Sequence, residues 1–255
     1  IKVVKNNKNL GYIRNFIQAI SKSSHDFLFF SDQDDIWNKQ KVEKIINKFL
    51  EEKVNKPTLI FSNASIVDSN GNTNGKNLWD ELKFSNENLK SELLFRNVIT
   101  GATAAINREL VNLIKKAYIS DSVPHDYSIA ILALAKGRII GISENLTSYR
   151  IHNNNQIGIS PKGLKKISHI ISHTNGFYIS QEIHRMQSVI KMLNSINSVD
   201  YMNYYYKKIQ IYKELNSKLF IYCPYICLKN KKIFRGWKTI IKLTYASFRK
   251  DLLAL

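Results

Sequence analysis

The sequence predicts an α/β fold, a mostly parallel sheet flanked by helices and followed by a helical, basic C-terminal extension. Strand-like runs alternate with amphipathic helical stretches over residues 1–160, the pattern of a sheet covered by its crossover helices. Beyond Pro161 only helical periodicity remains, which divides the chain into an α/β domain, 1–160, and a helical region, 161–255. Charge divides it in the same place. Of the net +18, residues 160–255 carry +13, from 17 Lys and Arg against 4 Asp and Glu.

Ile13, Phe16, Ile17 and Ile20 fall on one helical face, and Phe27-Leu28-Phe29-Phe30 reads as a short buried strand. Val42, Ile45, Ile46, Phe49 and Leu50 mark the next helix, and Thr58-Leu59-Ile60-Phe61 the next strand. Asn70 to Asn77, rich in Gly and Asn, reads as a loop. Leu89, Leu93 and Leu94 predict a helix before Asn97-Val98-Ile99-Thr100-Gly101, and Leu110, Val111 and Ile114 one after it. Ser122 to Asp126 feeds a helix ending near Gly137; Arg138-Ile139-Ile140 and Leu146 to Tyr149 read as the last strands.

With 255 residues, 44% of them hydrophobic, the chain can bury one substantial core and an appendage. Cys223 and Cys227 lack the companions of a zinc site, and we read them as reduced, packed and cytosolic. No apolar run is long enough to span a bilayer and no secretory signal is visible. The opening Ile1-Lys2-Val3-Val4 is strand-like and lacks an initiator methionine, so we expect further chain upstream.

The chemistry concentrates at Asp32-Gln33-Asp34-Asp35, directly after a predicted buried strand, where open α/β sheets bind ligands. Carboxylates this close repel one another unless a cation joins them. Hard oxygen ligands suit Mg²⁺ or Mn²⁺, which keep positions open for substrate phosphates. An isolated D-x-D is more often a solvated acidic loop, so the neighbours decide its weight.

Those neighbours are Asn9-Leu10-Gly11, Asn15-Phe16, Ser31 to Trp37 and Lys41, then Asn97 to Gly101, Ile106-Asn107-Arg108, His125-Asp126, and Tyr149 to His152 with Asn155 and Gly158. Together they resemble the inverting family-2 glycosyltransferases of the GT-A fold, in particular the rhamnosyltransferase-like branch, over about the first 160 residues. The resemblance implies a nucleotide-diphosphate sugar donor, Mg²⁺ or Mn²⁺, and a glycan or lipid-linked acceptor. It implies that Asp32 and Asp34 meet the donor and its metal, with Asp34 the direct ligand, and that Asp126 is the general base. Asn9, Gly11, Asn15, Gln33 and Asp35 belong to the donor-binding set.

Other assignments keep two readings. Trp37 either walls the donor pocket or packs in the core. Gly101 either lets the backbone approach the sugar or forms a turn. Arg150 and His152 either meet the diphosphate, the histidine as an additional metal ligand, or are structural, and Asp126 either takes a proton or caps its helix. Two departures from the family matter. Asn63 stands where relatives carry aspartate, and many members have Glu-Asp where this chain has His125-Asp126. The family's first strand and base-binding acidic motif are expected upstream of Ile1.

In the tail, Phe234, Trp237, Ile241, Tyr245 and Phe248 recur at helical spacing among lysines and arginines. Such a helix either lies in an anionic membrane surface, on the cytoplasmic face of the plasma membrane, or packs on the α/β domain. Envelope or extracellular polysaccharide synthesis is the setting this implies. No nucleic acid is expected as a partner, since the positive charge lies outside the α/β domain and no recognisable binding motif accompanies it. A basic nucleic-acid-binding protein, a glycoside hydrolase and an inactive truncated relative are the competing readings.

Overall fold

A computed structural model describes residues 3–52, 55–151 and 176–217. The chain forms two compact units, Ile1–His152 and Asn153–Leu255. The sequence-based boundary at 160 and 161, His152, Asn155, Gly158, both cysteines and the tail helix lie outside the described residues.

The first unit runs α1 (Gly11–Lys22), β1 (Phe27–Phe29), β2 (Ile36–Trp37), α2 (Lys41–Glu51), β3 (Thr58–Val67), β4 (Thr73–Asn77), α3 (Leu78–Leu82), α4 (Leu89–Phe95), β5 (Ala104–Asn107), α5 (Arg108–Lys116), α6 (His125–Lys136) and β6 (Arg138–Arg150). The sheet order is β1-β5-β3-β6-β2, with β4 added on β3. Helices flank it, as the α/β class requires. The sheet is mixed, however, and not mostly parallel: among the described strands only β3 and β6 pair in parallel, the other pairings being antiparallel. The alternation of helices and strands was read as a series of crossovers, but β4 returns directly on β3 through the Asp68–Gly71 turn.

That turn also corrects the loop expected at Asn70 to Asn77. Asp68 accepts backbone N–H bonds from Asn70 and Asn72 at 2.9 and 2.8 Å, closing a hairpin that a polar composition concealed. The two expected last strands are one strand, β6, whose register against β3 shifts on either side of Asn63. Buried Asn63 fills the irregularity, its Oδ1 accepting from Ala64 N and Trp79 N at 2.8 and 3.1 Å. Val3 and Val4 are exposed and belong to no strand.

On one side of the sheet Ile45 and Phe49 of α2 pack with Ile60, Ala105 and Leu146. α6 packs on β3 and β6 and against α1, α4 and α5. It is buried from Tyr127 through Ala133, and its apolar residues therefore run almost continuously.

In the second unit, helices Gly176–Ser195 and Val199–Ser217 pack on each other across a short turn, bearing out the helical pattern there. Tyr205 is buried at their contact while Tyr206 is half exposed. Among the described residues no helix is long and apolar enough to cross a membrane.

Candidate active site

Three groups of side chains, each set by a different element, make up the site. The first is the acidic turn between β1 and β2. Gln33 is exposed at its tip; Asp32, Asp34 and Asp35 are half-buried. Burial raises Asp32, with the charge of Asp34 adding to it and Lys41 partly offsetting it. Burial likewise pushes Asp35 up to about 6, against the hydrogen bond it accepts from Arg150 N at 3.0 Å. Asp35 Oδ2 is buried with no protein partner among the described residues.

Arg150 ends β6 and holds this turn from below. Its Nε donates to Asp34 O at 2.8 Å and its Nη1 to Ser69 O at 2.6 Å, so the guanidinium binds main-chain carbonyls of the acidic turn and of the β3–β4 hairpin. The Trp37 ring stands 5.9 Å from Phe29, and its Nε1 is buried without a partner among the described residues.

Lys41 is the cation of this group. It is fully buried, and its Nζ donates to Ala102 O at 2.7 Å and Thr147 Oγ1 at 2.9 Å while standing 4.2 Å over the Trp37 ring. Desolvation lowers it to about 8 against the charges of Asp35 and Asp32. No role was assigned to it from sequence, although its spacing carried a signal: Lys41, Ile45 and Phe49 form the buried stripe of α2, and a lysine in such a stripe must find partners inside.

The second group surrounds Asp126, in the first turn of α6. Asn97 Nδ2 donates to its Oδ1 at 3.0 Å, Tyr127 N at 2.7 Å, and Gly101 N–H also bonds the carboxylate. Desolvation nevertheless dominates and pushes Asp126 up to about 6. Pro124 occupies the cap position without a side-chain bond, and it is the Asp126 carboxylate that accepts from the first-turn N–H of Tyr127. Gly101 opens a single 3₁₀ turn, Gly101–Thr103, where an added Cβ would stand 3.2 Å from His125 Nε2 and 3.7 Å from Asp126 Cβ. A side chain there would crowd His125 beside Asp126.

His125 resolves the charge question raised by the departure from Glu-Asp. Its ring stacks on Phe16 at 4.0 Å and 6°, with Tyr12 and Phe30 at its edges, and burial lowers it to about 4. It is neutral at physiological pH, so Asp126 has no cation beside it there. Phe16 and Asn97 belong to the motif segments and Tyr12 does not, and no linear pattern assigns any of them to the surroundings of Asp126.

The third group lines a groove of about 390 Å³ formed by Asn6, Lys8, Asn9, Leu10, Gly11, Tyr12 and Asn15. It brings Asn9, Gly11 and Asn15 together. Asn9 Oδ1 accepts from Gly11 N at 2.8 Å, and Gly11 has φ +72°, a conformation glycine adopts without strain. Asn15 Oδ1 accepts from Asn6 Nδ2 at 2.9 Å. Tyr12 joins groove to base: its hydroxyl is raised first by burial and then by the charge of Asp126.

Residues 1–114 match the family model described as glycosyl transferase family 2. The similarity to that family thus lies in the first 114 residues of the chain. The chain is also similar to the dTDP-rhamnosyl transferase RfbG of Shigella flexneri, with 26% identity over 211 residues. The match covers 77% of this chain and 66% of that relative, just under two thirds of its length. Acidic turn, Lys41 and Asn97 all fall within the matched family region; Asp126 and Arg150 lie beyond it.

Proposed function

We propose that this protein transfers a sugar, rhamnose foremost, from a nucleoside diphosphate to a glycan or lipid-linked acceptor, with inversion, in envelope or extracellular polysaccharide synthesis. The observation that carries this reading is the presence in one family-2 unit of two unlike carboxylate sites, a crowded acidic turn and a solitary desolvated aspartate. The rhamnosyl transferase relative supports the choice of sugar.

The base is Asp126. An acceptor hydroxyl is a weak nucleophile, and a carboxylate with its affinity for protons raised by burial is suited to take the hydroxyl proton as oxygen bonds to the anomeric carbon. The bond from that carbon to the diphosphate breaks on the opposite face, and the diphosphate leaves with the electron pair. Asn97 and the Gly101 N–H fix the carboxylate, and neutral His125 leaves its charge uncompensated.

A divalent ion fits the acidic turn. Asp32 and Asp34 repel each other, and the buried Oδ2 of Asp35 has no partner among the described residues. Asp34 and Asp32 would hold Mg²⁺ or Mn²⁺, which when bound neutralises charge on a diphosphate. Among the described residues no three His, Cys, Asp or Glu side chains form a metal cage, so the ion's remaining ligands would be diphosphate oxygens and water. His152, the further ligand expected from sequence, lies outside the described residues.

Calorimetry on the full-length protein with dTDP-rhamnose, UDP-glucose and GDP-mannose, each with and without Mg²⁺ or Mn²⁺, tests the donor. Binding of dTDP-rhamnose only with metal is expected; equal affinity without metal would remove the ion from the proposal. Product of retained anomeric configuration would remove Asp126 as the base of a direct displacement. The basic tail is proposed to hold the enzyme on anionic membranes, motivated by its charge and aromatic stripe. Liposome sedimentation should be salt-sensitive and lost on deleting the residues after Asn230.

A further inference from the structure

The geometry points to Lys41 as a positioning residue that ties the Trp37 wall of the acidic turn to the turn holding the base, and so keeps the two carboxylate sites in one working arrangement. The inference rests on the transferase reading above.

Lys41 lies on α2, far in sequence from both acceptors of its ammonium, Ala102 and Thr147. Nζ has three donors, and two go to Ala102 O at 2.7 Å and Thr147 Oγ1 at 2.9 Å. Ala102 follows Gly101, whose N–H bonds Asp126, so one peptide unit separates the lysine's acceptor from the base's donor. Thr147 pairs with Trp37 in the β2–β6 ladder, and the same ammonium stands 4.2 Å over the Trp37 ring. One cation thereby touches β2, β6 and the Gly101–Thr103 turn.

A merely structural lysine is an expensive way to join these elements. Burying an ammonium costs stability unless charge and hydrogen bonds compensate, and an apolar side chain of similar volume in the α2 stripe is often neutral or better. What an apolar side chain lacks is direction. Only a donor fixes Ala102 O and Thr147 Oγ1 at set distances, and a shift of about 1 Å in a reacting group can cost about a hundredfold in rate.

The test uses full-length enzyme labelled with 5-fluorotryptophan, with Trp37 assigned by Trp37→Phe among the three tryptophans Trp37, Trp79 and Trp237. Turnover is read as nucleoside diphosphate released from dTDP-rhamnose with the host membrane fraction supplying acceptor. Lys41→Met keeps chain length but removes the donor. It should shift the Trp37 fluorine resonance, leave that of Trp79 in place, and lower kcat about tenfold or more with donor KM changed by less than about threefold. Thr147→Val, which removes one acceptor and leaves the lysine, should move the same resonance and lower kcat by a smaller factor.

A folded Lys41→Met enzyme with parental kcat, or one whose only change is a lower melting temperature, overturns the inference. Should Lys41→Met not fold, Thr147→Val decides: an unmoved Trp37 resonance and parental kcat overturn it equally. If the parent itself transfers from none of the nucleotide sugars, the proposed function fails, while the Trp37 resonance still reports whether the tie exists.

Discussion

The acidic turn and the Asp126 pocket use the same functional group in opposite ways. At the turn, three aspartates crowd within four residues: beyond burial, the charge of Asp34 raises Asp32, and the charges of Asp32 and Asp34 raise Asp35. Among the described residues no second carboxylate and no cation is in hydrogen-bonding contact with Asp126; Asn97, Gly101 and Tyr127 supply neutral donors, and burial outweighs them. Crowding produces a place where positive charge is wanted. Both Asp35 and Asp126 are raised to about 6 by burial first, but only in the turn do neighbouring carboxylates add to the rise. The comparison teaches that like residues adjacent in the chain reveal a crowded site, whereas a solitary desolvated carboxylate is marked by what surrounds it in space.

The comparison breaks most sharply at Asp126. Asp126→Asn keeps the shape and the Asn97 contact but cannot take a proton, so kcat should fall by about a hundredfold or more while donor affinity holds. Near-parental turnover in a folded variant would dissolve the distinction between the two sites. Asp34→Ala should do the reverse, weakening metal-dependent donor binding by at least about tenfold, as calorimetry would read. An equal loss of kcat alone would place Asp34 with the base instead.

pH sharpens the same contrast. Asp126 must be ionised to act, and with its affinity raised to about 6 the turnover should fall on the acid side of that value, by about tenfold per pH unit once well below it. Stability should run the other way. A carboxylate raised on folding favours the native state most below its unfolded value and loses that contribution as pH climbs through about 6. Asp126→Asn should therefore melt a few degrees above the parent at pH 7.5, with the gap closing towards pH 4 in a thermal scan. The smallest effect is expected of Gly101→Ala. Its Cβ would press on His125 Nε2 at 3.2 Å, lowering kcat about threefold to tenfold and leaving metal-dependent donor affinity intact.

Much of this was legible in one dimension because its causes are local. The stripe Ile13, Phe16, Ile17 and Ile20 gave α1, and the continuous apolar run ending at Ala133 gave α6, since helical burial repeats at a short sequence interval. The acidic turn was visible because its three carboxylates are neighbours in the chain. The β3–β4 hairpin was not, because Asp68 closes it through backbone bonds that a polar sequence does not distinguish from a loop. Nor was the mixed sheet, because strand direction depends on where each connection returns.

By itself, then, the sequence determined the helices of the first unit, the acidic turn and the candidacy of Asp126. Only the tertiary structure decided that Asn97 and Gly101 hold that base, that His125 is a neutral aromatic partner of Phe16, that Arg150 serves main-chain carbonyls, and that Lys41 reaches Ala102 and Thr147. The physical reason is the range of the interactions. Helical and turn preferences act between residues a few positions apart, whereas desolvation and a buried ammonium's hydrogen bonds exist only once chain segments sixty and a hundred positions away have closed around it.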